Sequence, residues 1–116
     1  MYKQKKGRII NIGSDLSVIS PNQEIYKKDY KNYYKPASYS TIKHGLIGLT
    51  KYFSTLYADN GITCNMVSPG PILNKQSATL VKNLKKITPM KRLANREDLF
   101  EAIKFLLSRN SNFITG

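Results

Sequence analysis

The sequence predicts an α/β fold in which a helix joins two parallel strands. Two short runs rich in apolar residues, at 8–12 and 62–67, are bounded by glycines and are typical of strands buried on both faces. The segment between them has apolar residues at spacings of three and four, which indicates an amphipathic helix. This order predicts a right-handed crossover unit, with ligands bound beyond the carboxyl ends of the strands.

The joining helix is expected to begin after Pro36, because proline suits the first turn, where its missing N–H costs no hydrogen bond. It is expected to run to about Asp59, with Asn60-Gly61 as its stop signal. Gly45 and Gly48 each cost about 1 kcal/mol relative to alanine, a cost that close packing often offsets. The predicted apolar stripe consists of Ile42, Leu46, Leu49, Phe53 and Leu56.

The chain carries 19 lysine and arginine residues against 7 acidic ones, a formal net charge of +12. Such a charge makes nucleic acid or another anionic surface a conceivable partner. However, the lysines are scattered from Lys3 to Lys104 without a long run, and neither zinc-ligand spacing nor an RNA-binding aromatic motif is present. We interpret them as solvated surface residues, with a non-enzymatic basic binding protein as the alternative.

The length of 116 residues is enough for one small domain, and no run of about 18 apolar residues predicts a membrane span. The basic N-terminus lacks the cleavage site of a signal peptide. Cys64 is the single cysteine, so no intrachain disulfide can form and a cytoplasmic location is expected. We interpret Cys64 as a small buried residue of its strand.

A tyrosine and a lysine four residues apart, Tyr39 and Lys43, stand at the start of the predicted helix. This spacing places a phenol and an ammonium on one helix face. The pKa of a free tyrosine is about 10, and a nearby cation favours the phenolate, which suits a tyrosine to proton transfer. The same spacing also occurs on ordinary solvated helices, so the pair alone does not decide the function.

The order of the surrounding segments resembles the short-chain dehydrogenase/reductase family. A strand ending at Gly13-Ser14, a Y-x-x-x-K helix, and a strand ending at Ser68-Pro69-Gly70 are similar to the pattern of that family over residues 7–116. The resemblance implies a partial Rossmann-type doubly wound parallel sheet, the C-terminal half of such a domain, with 8–12 as its fifth strand. It also implies an NAD(P)-dependent oxidoreductase that interconverts an alcohol and a carbonyl.

The same resemblance implies catalytic roles for Ser14, Tyr39 and Lys43. Tyr39 would transfer the proton, Lys43 would promote ionisation of Tyr39 and hydrogen-bond the cofactor ribose, and Ser14 would hold the reacting oxygen. In the alternative interpretation, Ser14 merely caps a turn with Asp15. Asn74 departs mildly from the threonine that the family often has there. The implied cofactor-binding residues are Tyr39, Lys43, Pro69, Gly70, Ile72 and Asn74.

Further segments downstream also resemble parts of the family. Residues 75–86 resemble a helix that covers the substrate. Residues 88–92 resemble a short P-x-x-R connection, and residues 110–116 resemble the segment that leads into the last strand. Asn95 is expected to cap a helix with acids in its first turn. The predicted buried stripe of that helix consists of Leu99, Ala102, Ile103, Leu106 and Leu107.

The irregular segment 15–36 is longer than is typical of the family, since Tyr39 follows Ser14 by 25 residues. Long loops in compact domains often carry function. This loop and residues 68–74 look similar to bacterial dehydrogenases linked to surface-sugar and flagellin modification, which implies a sugar-derived substrate. The segment contains a cluster of tyrosines, for which two interpretations remain open. They could stack on a substrate ring or pack the loop itself, and they are Tyr26, Tyr30, Tyr33 and Tyr34.

The chain contains no G-x-x-x-G-x-G loop, the motif that binds a dinucleotide pyrophosphate. We therefore interpret residues 1–116 as an incomplete catalytic domain whose dinucleotide-binding half is absent, inactive alone and prone to unfold or aggregate. An inactive remnant of a truncated gene is the alternative. The expected partners of the complete enzyme are a small-molecule substrate and further copies of itself through the 37–59 helix, with no membrane association.

Overall fold

A computed structural model describes residues 1–27 and 33–116. Within these residues, a sheet of two parallel strands forms the centre, β1 (Gly7–Ile12) and β2 (Ile62–Val67). The register pairs Gly7 with Ile62 and Ile12 with Val67. The α/β class, the parallel pairing and, to within one residue, the strand bounds are therefore confirmed.

β1 is less buried than the sequence predicted. Its residues are half-buried, and Ile12 is 47% exposed. In β2, by contrast, residues 62–65 are buried. The prediction of burial on both faces is wrong for β1, because the C-terminal residues cover the outer edge of β2 whereas no described strand covers that of β1.

A one-turn helix, α1 (Glu24–Lys27), precedes the long helix α2 (Ala37–Leu56). α2 is extended by a 3-10 turn, Ala58–Asn60, and Gly61 then adopts the left-handed conformation at φ +65°. A Cβ on Gly61 would lie 2.4 Å from the carbonyl oxygen of Lys5, so space as well as conformation requires glycine. The predicted stop at this glycine is confirmed.

Small hydroxyl side chains form the face of α2 that contacts the sheet. Thr50 and Ser54 are its buried residues. The side-chain amide of Asn11 on β1 donates a hydrogen bond to Thr50 Oγ1 at 2.8 Å. Side chains of this size let the helix backbone lie close to the strands, and their hydroxyl groups are satisfied by hydrogen bonds.

The predicted apolar stripe of α2 lies to one side of the buried face, roughly a quarter turn around the helix from Thr50. Gly45 and Gly48 also face outward, since an added Cβ would meet no atom within 4 Å at either position. Leu46 and Phe53 are half-buried, whereas the exposed members of the stripe are Ile42, Leu49 and Leu56. The prediction that the stripe is buried is wrong for those residues, because the smaller face of the helix packs on the sheet.

Two helices follow β2, namely α3 (Ala78–Ile87) and α4 (Phe100–Leu107). A 3-10 turn at Arg96–Leu99 leads into α4, and the predicted cap at Asn95 is present, paired reciprocally with Asp98. Among the described residues, no helix is both long enough and apolar enough to cross a membrane.

The buried side of α4 agrees only in part with the predicted stripe. Leu99, Ile103 and Leu106 are half-buried, and α4 contacts both strands. Ala102 and Leu107 are exposed, so their predicted burial is wrong. They lie on the sides of the helix that the two strands do not reach.

The C-terminal residues run along the edge of β2 that β1 does not occupy. The N–H of Gly116 donates to the carbonyl oxygen of Cys64 at 2.9 Å, and the N–H of Cys64 donates to Thr115 Oγ1 at 3.0 Å. Cys64 is fully buried, as predicted, and this burial raises the pKa of its thiol. The segment thus lies where a further strand would add to the sheet.

Candidate active site

The carboxyl ends of β1 and β2 lie side by side and form the floor of the site. The N–H of Gly13 donates to the carbonyl oxygen of Val67 at 2.8 Å, and the N–H of Asp15 donates to that of Pro69 at 2.9 Å. These bonds extend the pairing of the strands into the two loops that follow. The predicted site residues of both loops are thereby held together.

A cavity of about 420 Å³ opens at this end of the sheet. It is bounded by the two loops, residues from 15 to 26, Lys35, the first turn of α2, and α3. The residues predicted for the site that line it are Ser14, Tyr39, Pro69, Gly70 and Ile72. Concave sites beyond the strand ends are where α/β folds bind ligands.

Tyr39 and Lys43 project from successive turns at the start of α2. Tyr39 is half-buried and lines the cavity. The Nζ of Lys43 lies 5.8 Å from the centre of the Tyr39 ring and donates a hydrogen bond to the carbonyl oxygen of Ile12 at 2.8 Å. That bond holds the ammonium at the carboxyl end of β1, beside the phenol.

Ser14 is buried and makes local hydrogen bonds as well as lining the cavity. Its hydroxyl donates to Asp15 Oδ1 at 2.9 Å and accepts from the N–H of Leu16 at 3.2 Å. Its own N–H donates to Ser17 Oγ at 3.0 Å. The turn-capping interpretation therefore describes its local bonding, and in the predicted role the hydroxyl would have to turn its proton from Asp15 Oδ1 to the substrate oxygen.

The loop after β2 is held by backbone bonds to a distant segment. The N–H of Leu73 donates to the carbonyl oxygen of Ala94 at 2.7 Å, and the N–H of Ala94 donates to that of Pro71 at 2.9 Å. The side chain of Gln76 donates to the carbonyl oxygen of Ile72 at 2.7 Å and accepts from the N–H of Asn74 at 2.6 Å. The structure places Asn74, an exposed residue, outside the cavity that its predicted partners line.

Gly70 has open space around it, and this fits the nicotinamide end of a dinucleotide cofactor. A Cβ at Gly70 would meet no atom within 4 Å, and Gly70 is not among the described residues with positive φ. Neither internal packing nor backbone conformation therefore explains the glycine, whereas the close approach of a ligand would. The described residues contain no loop for the pyrophosphate, so the fit extends to this end of the cofactor alone.

The segment before α2 contributes Lys35, a residue that the sequence interpretation did not single out. Lys35 lines the cavity together with Tyr26, one of the clustered tyrosines. Burial, and then the negative charge of Asp15, raises the pKa of Tyr26. The length of this segment was the one signal, because it drew attention to the loop without showing which side chains turn inward.

The described tyrosines of this segment mainly pack within it. The rings of Tyr26 and Tyr33 lie 6.0 Å apart, and Lys27 Nζ lies 5.5 Å from the centre of the Tyr34 ring. This favours the packing interpretation, although Tyr26 also reaches the cavity. Tyr30, the remaining tyrosine of the predicted cluster, lies outside the described residues.

α3 forms an apolar wall of the cavity, where the sequence predicted a covering helix. Leu80, Leu84 and Ile87 face the site. The side-chain amide of Asn83 donates to the carbonyl oxygen of Ile25 at 3.2 Å and so joins α3 to α1. The wall and α1 therefore border the site together.

Comparisons with known proteins place the whole chain in one family. A family model described as enoyl-(acyl carrier protein) reductase matches residues 1–116. The 3-oxoacyl-[acyl-carrier-protein] reductase FabG of Buchnera aphidicola subsp. Schizaphis graminum is 36% identical over 121 residues, which cover 100% of this chain and 44% of that protein. The chain therefore spans less than half the length of this curated relative.

Solved structures agree with the sequence relatives. A short chain dehydrogenase from Leptospira borgpetersenii with bound NAD+ superposes with a TM-score of 0.86 at 36% identity, over 97% of this chain and 42% of that one. ElxO with NADP bound gives a TM-score of 0.75 at 30% identity, over 99% of this chain and 44% of that one. The chain therefore belongs to the short-chain dehydrogenase/reductase family.

Proposed function

We propose that the complete protein is an NAD(P)-dependent oxidoreductase that interconverts an alcohol and a carbonyl compound. The observation that carries this proposal is the cavity at the strand ends, which brings Ser14 and Tyr39 together beside Lys43. Similarity to proteins named as a reductase and solved with NAD+ or NADP supports it. Family membership does not favour the alternative of a basic nucleic-acid-binding protein.

In this mechanism, Tyr39 donates or accepts the proton at the substrate oxygen, and the hydroxyl of Ser14 hydrogen-bonds the same oxygen. Lys43, held on the carbonyl oxygen of Ile12 at 2.8 Å, presents its charge to the cofactor ribose and to the phenol. Pro69, Gly70 and Ile72 would border the nicotinamide, which supplies or accepts the hydride when bound. Asn74 would take part only if its loop turned toward the cofactor.

We further propose that residues 1–116 are the catalytic part of a longer domain. The chain covers 44% of its curated relative and has no G-x-x-x-G-x-G loop, so the pyrophosphate would bind to polypeptide outside it. The residues that select NAD or NADP would then also lie outside this chain. The isolated chain is accordingly proposed to lack dehydrogenase activity.

For the substrate we propose a sugar-derived alcohol or carbonyl compound. Hydroxyl, amide and carboxylate groups line the cavity at Asp15, Ser20, Asn22, Tyr26 and Gln76, and such groups recognise polyols. Assays of the complete enzyme, following the absorbance of reduced nicotinamide, should show kcat/KM higher by about tenfold or more for nucleotide sugars than for simple alcohols and ketones. Equal values for the two groups would contradict the proposal.

A 3-oxoacyl thioester is a second candidate substrate, favoured by the apolar wall of Leu80, Leu84 and Ile87 and by the name of the 36% identical relative. Acetoacetyl-CoA in the same assays separates the candidates, since a preference for it would replace the sugar-derived substrate. A complete polypeptide that oxidises or reduces none of these compounds would contradict both candidate substrates, and if it also bound neither NAD nor NADP, the alternative of an inactive remnant would be favoured.

We also propose that the outer face of α2 joins copies of the complete enzyme. Ile42, Leu49, Tyr52 and Leu56 form an exposed apolar surface on that face, with the exposed Gly45 among them. Such a surface is typical of an interface. Leu49→Glu in the complete enzyme is expected to raise the dissociation constant of the oligomer by about a hundredfold, because a carboxylate would be buried without a partner.

Sedimentation velocity over a range of concentrations measures this change. Thr55→Glu, an exposed position of α2 outside the apolar face, is the matched control and should leave the oligomer intact. If Leu49→Glu does not weaken the assembly, another surface joins the subunits.

A further inference from the structure

Lys35 places a second cation in the active-site cavity, and the mechanism above leaves it without a role. It lines the cavity together with Ser14 and Tyr39. Its Nζ lies 3.9 Å from the centre of the Tyr39 ring and 5.8 Å from the centre of the Tyr26 ring. The ammonium therefore lies over the phenol proposed to transfer the proton.

The backbone of Lys35 is fixed by one side chain. Gln23 Oε1 accepts from the N–H of Lys35 at 2.8 Å, and Gln23 Nε2 donates to its carbonyl oxygen at 3.3 Å. This pair of bonds joins the residue before α1 to the segment that leads into α2. The position of Lys35 thus depends on a specific contact and on the start of α2, not on a freely moving loop end.

Within residues 1–27 and 33–116, no carboxylate lies within ion-pair distance of the Lys35 ammonium. Asp15 is the acidic residue that lines the cavity, and its Oδ1 already accepts from the hydroxyl of Ser14 and the N–H of Leu16. The ion pairs of the described chain lie elsewhere, at Lys27–Glu24, Arg92–Asp98 and Lys104–Glu101.

The aromatic neighbours of Lys35 attract its charge without neutralising it. A cation over a ring is attracted by the electrons of the ring face, but the net charge remains. Tyr26 stays a neutral phenol at neutral pH, because burial and the charge of Asp15 raise its pKa. A half-buried cation whose charge no described residue balances is suited to bind an anion.

We propose that Lys35 binds an oxyanion of the substrate, a carboxylate or a phosphoryl group, and so makes the enzyme selective for acidic carbonyl compounds. This inference rests on the proposed oxidoreductase function and names the chemical class that the site would take. An anion bound over the Tyr39 ring lies next to the oxygen that Tyr39 would protonate. Sugar acids and sugar phosphates carry both groups on one short chain.

Pairs of related probes, one member anionic and the other neutral, test this inference by binding. Acetoacetate and methyl acetoacetate form the carboxylate pair, and dihydroxyacetone phosphate and dihydroxyacetone form the phosphate pair. Titration calorimetry on the complete enzyme with oxidised cofactor present should show tighter binding of the anionic member, on the order of tenfold to a hundredfold. The pair that shows the preference identifies which oxyanion Lys35 binds.

Variants assign the preference to Lys35. Lys35→Met keeps an unbranched side chain over the rings and should abolish the preference, whereas Lys35→Arg should retain most of it. Lys27→Met is the matched control, because Lys27 also lies over a tyrosine ring, at 5.5 Å from the centre of Tyr34, but does not line the cavity. The Lys27→Met variant should keep the anion preference of the unaltered enzyme.

Three outcomes would overturn the inference, of which the first two are no anion preference in the unaltered enzyme and a preference that survives in Lys35→Met. A Lys35→Met variant that instead loses affinity for the cofactor would also overturn it, by assigning Lys35 to a cofactor phosphate. Failure of the proposed function is a separate result, since an enzyme that binds the anions but transfers no hydride keeps the Lys35 site and loses the oxidoreductase assignment.

Discussion

Tyr39→Phe in the complete enzyme is expected to lower turnover on the order of a hundredfold to ten-thousandfold while cofactor affinity changes little. The variant removes the hydroxyl that transfers the proton and keeps the ring over which Lys35 Nζ lies, 3.9 Å from its centre. The packing at the start of α2 is therefore preserved. Steady-state kinetics at saturating cofactor and a separate cofactor titration measure the two effects independently.

Tyr57→Phe is the matched control for this experiment. Tyr57 ends the same helix, is half-buried, and is not part of the cavity lining. Loss of its hydroxyl should leave turnover unchanged. Unaltered turnover in Tyr39→Phe would remove Tyr39 from the mechanism, and a similar loss in both variants would point to damage of α2 instead of loss of a proton donor.

The position of Lys43 gives a second reason to expect this result. Its ammonium is fixed on the carbonyl oxygen of Ile12 at 2.8 Å, so the start of α2 is joined to the end of β1. A helix held in this way keeps the phenol of Tyr39 at the carboxyl end of the sheet, where the substrate oxygen would lie.

The strands and their parallel order follow from local patterns in the sequence. The two glycine-bounded runs form β1 and β2. The 3-10 extension of α2 ends at Asn60-Gly61, because only glycine fits at φ +65° beside the carbonyl group of Lys5. These features depend on the conformational preferences of neighbouring residues. They could therefore be predicted without knowing what the chain packs against.

The buried face of α2 could not be predicted in the same way. Apolar spacing marks a face that some surface will cover, but it does not say which surface. Here the sheet packs on Thr50 and Ser54, while Leu49 on the other face is 42% exposed. In the proposed complete enzyme, that outer face is covered by another copy of the chain.

The sequence predicted those residues of the candidate site that belong to short motifs. Ser14, Tyr39 and Gly70 lie in short patterns whose spacing is informative, and all line the cavity. Lys35 carries no such pattern, because its place depends on hydrogen bonds from Gln23, 12 residues earlier in the chain. Contacts of that kind are set by the path of an irregular loop.

The 116-residue chain by itself is expected to show no cooperative thermal unfolding as a soluble monomer. A compact monomer of 13.2 kDa has an accessible surface of about 6,400 Å², whereas this chain exposes 8132 Å². Its radius of gyration is 16.8 Å, against about 13 Å for a compact domain of this length. The chain thus buries too little surface to offset the conformational entropy lost on folding.

The distribution of the apolar surface explains why a covering partner is required. The fully buried or nearly buried apolar side chains of the described residues are few, namely Ile25, Ile62, Cys64 and Leu93. Phe113 is fully exposed, Ile42 is 63% exposed, and one edge of β1 has no described strand beside it. Each of these surfaces favours association with other chains when nothing covers it.

Circular dichroism during heating and light scattering at several concentrations test this expectation, with the complete polypeptide as the control. The complete polypeptide should unfold in one cooperative transition, because its remaining strands and helices would cover the edge of β1 and add the buried area that the chain lacks. The isolated chain should show a broad, concentration-dependent change. If it remains monomeric and unfolds cooperatively, residues 1–116 form a domain of their own, and the proposal that they are part of a longer one is wrong.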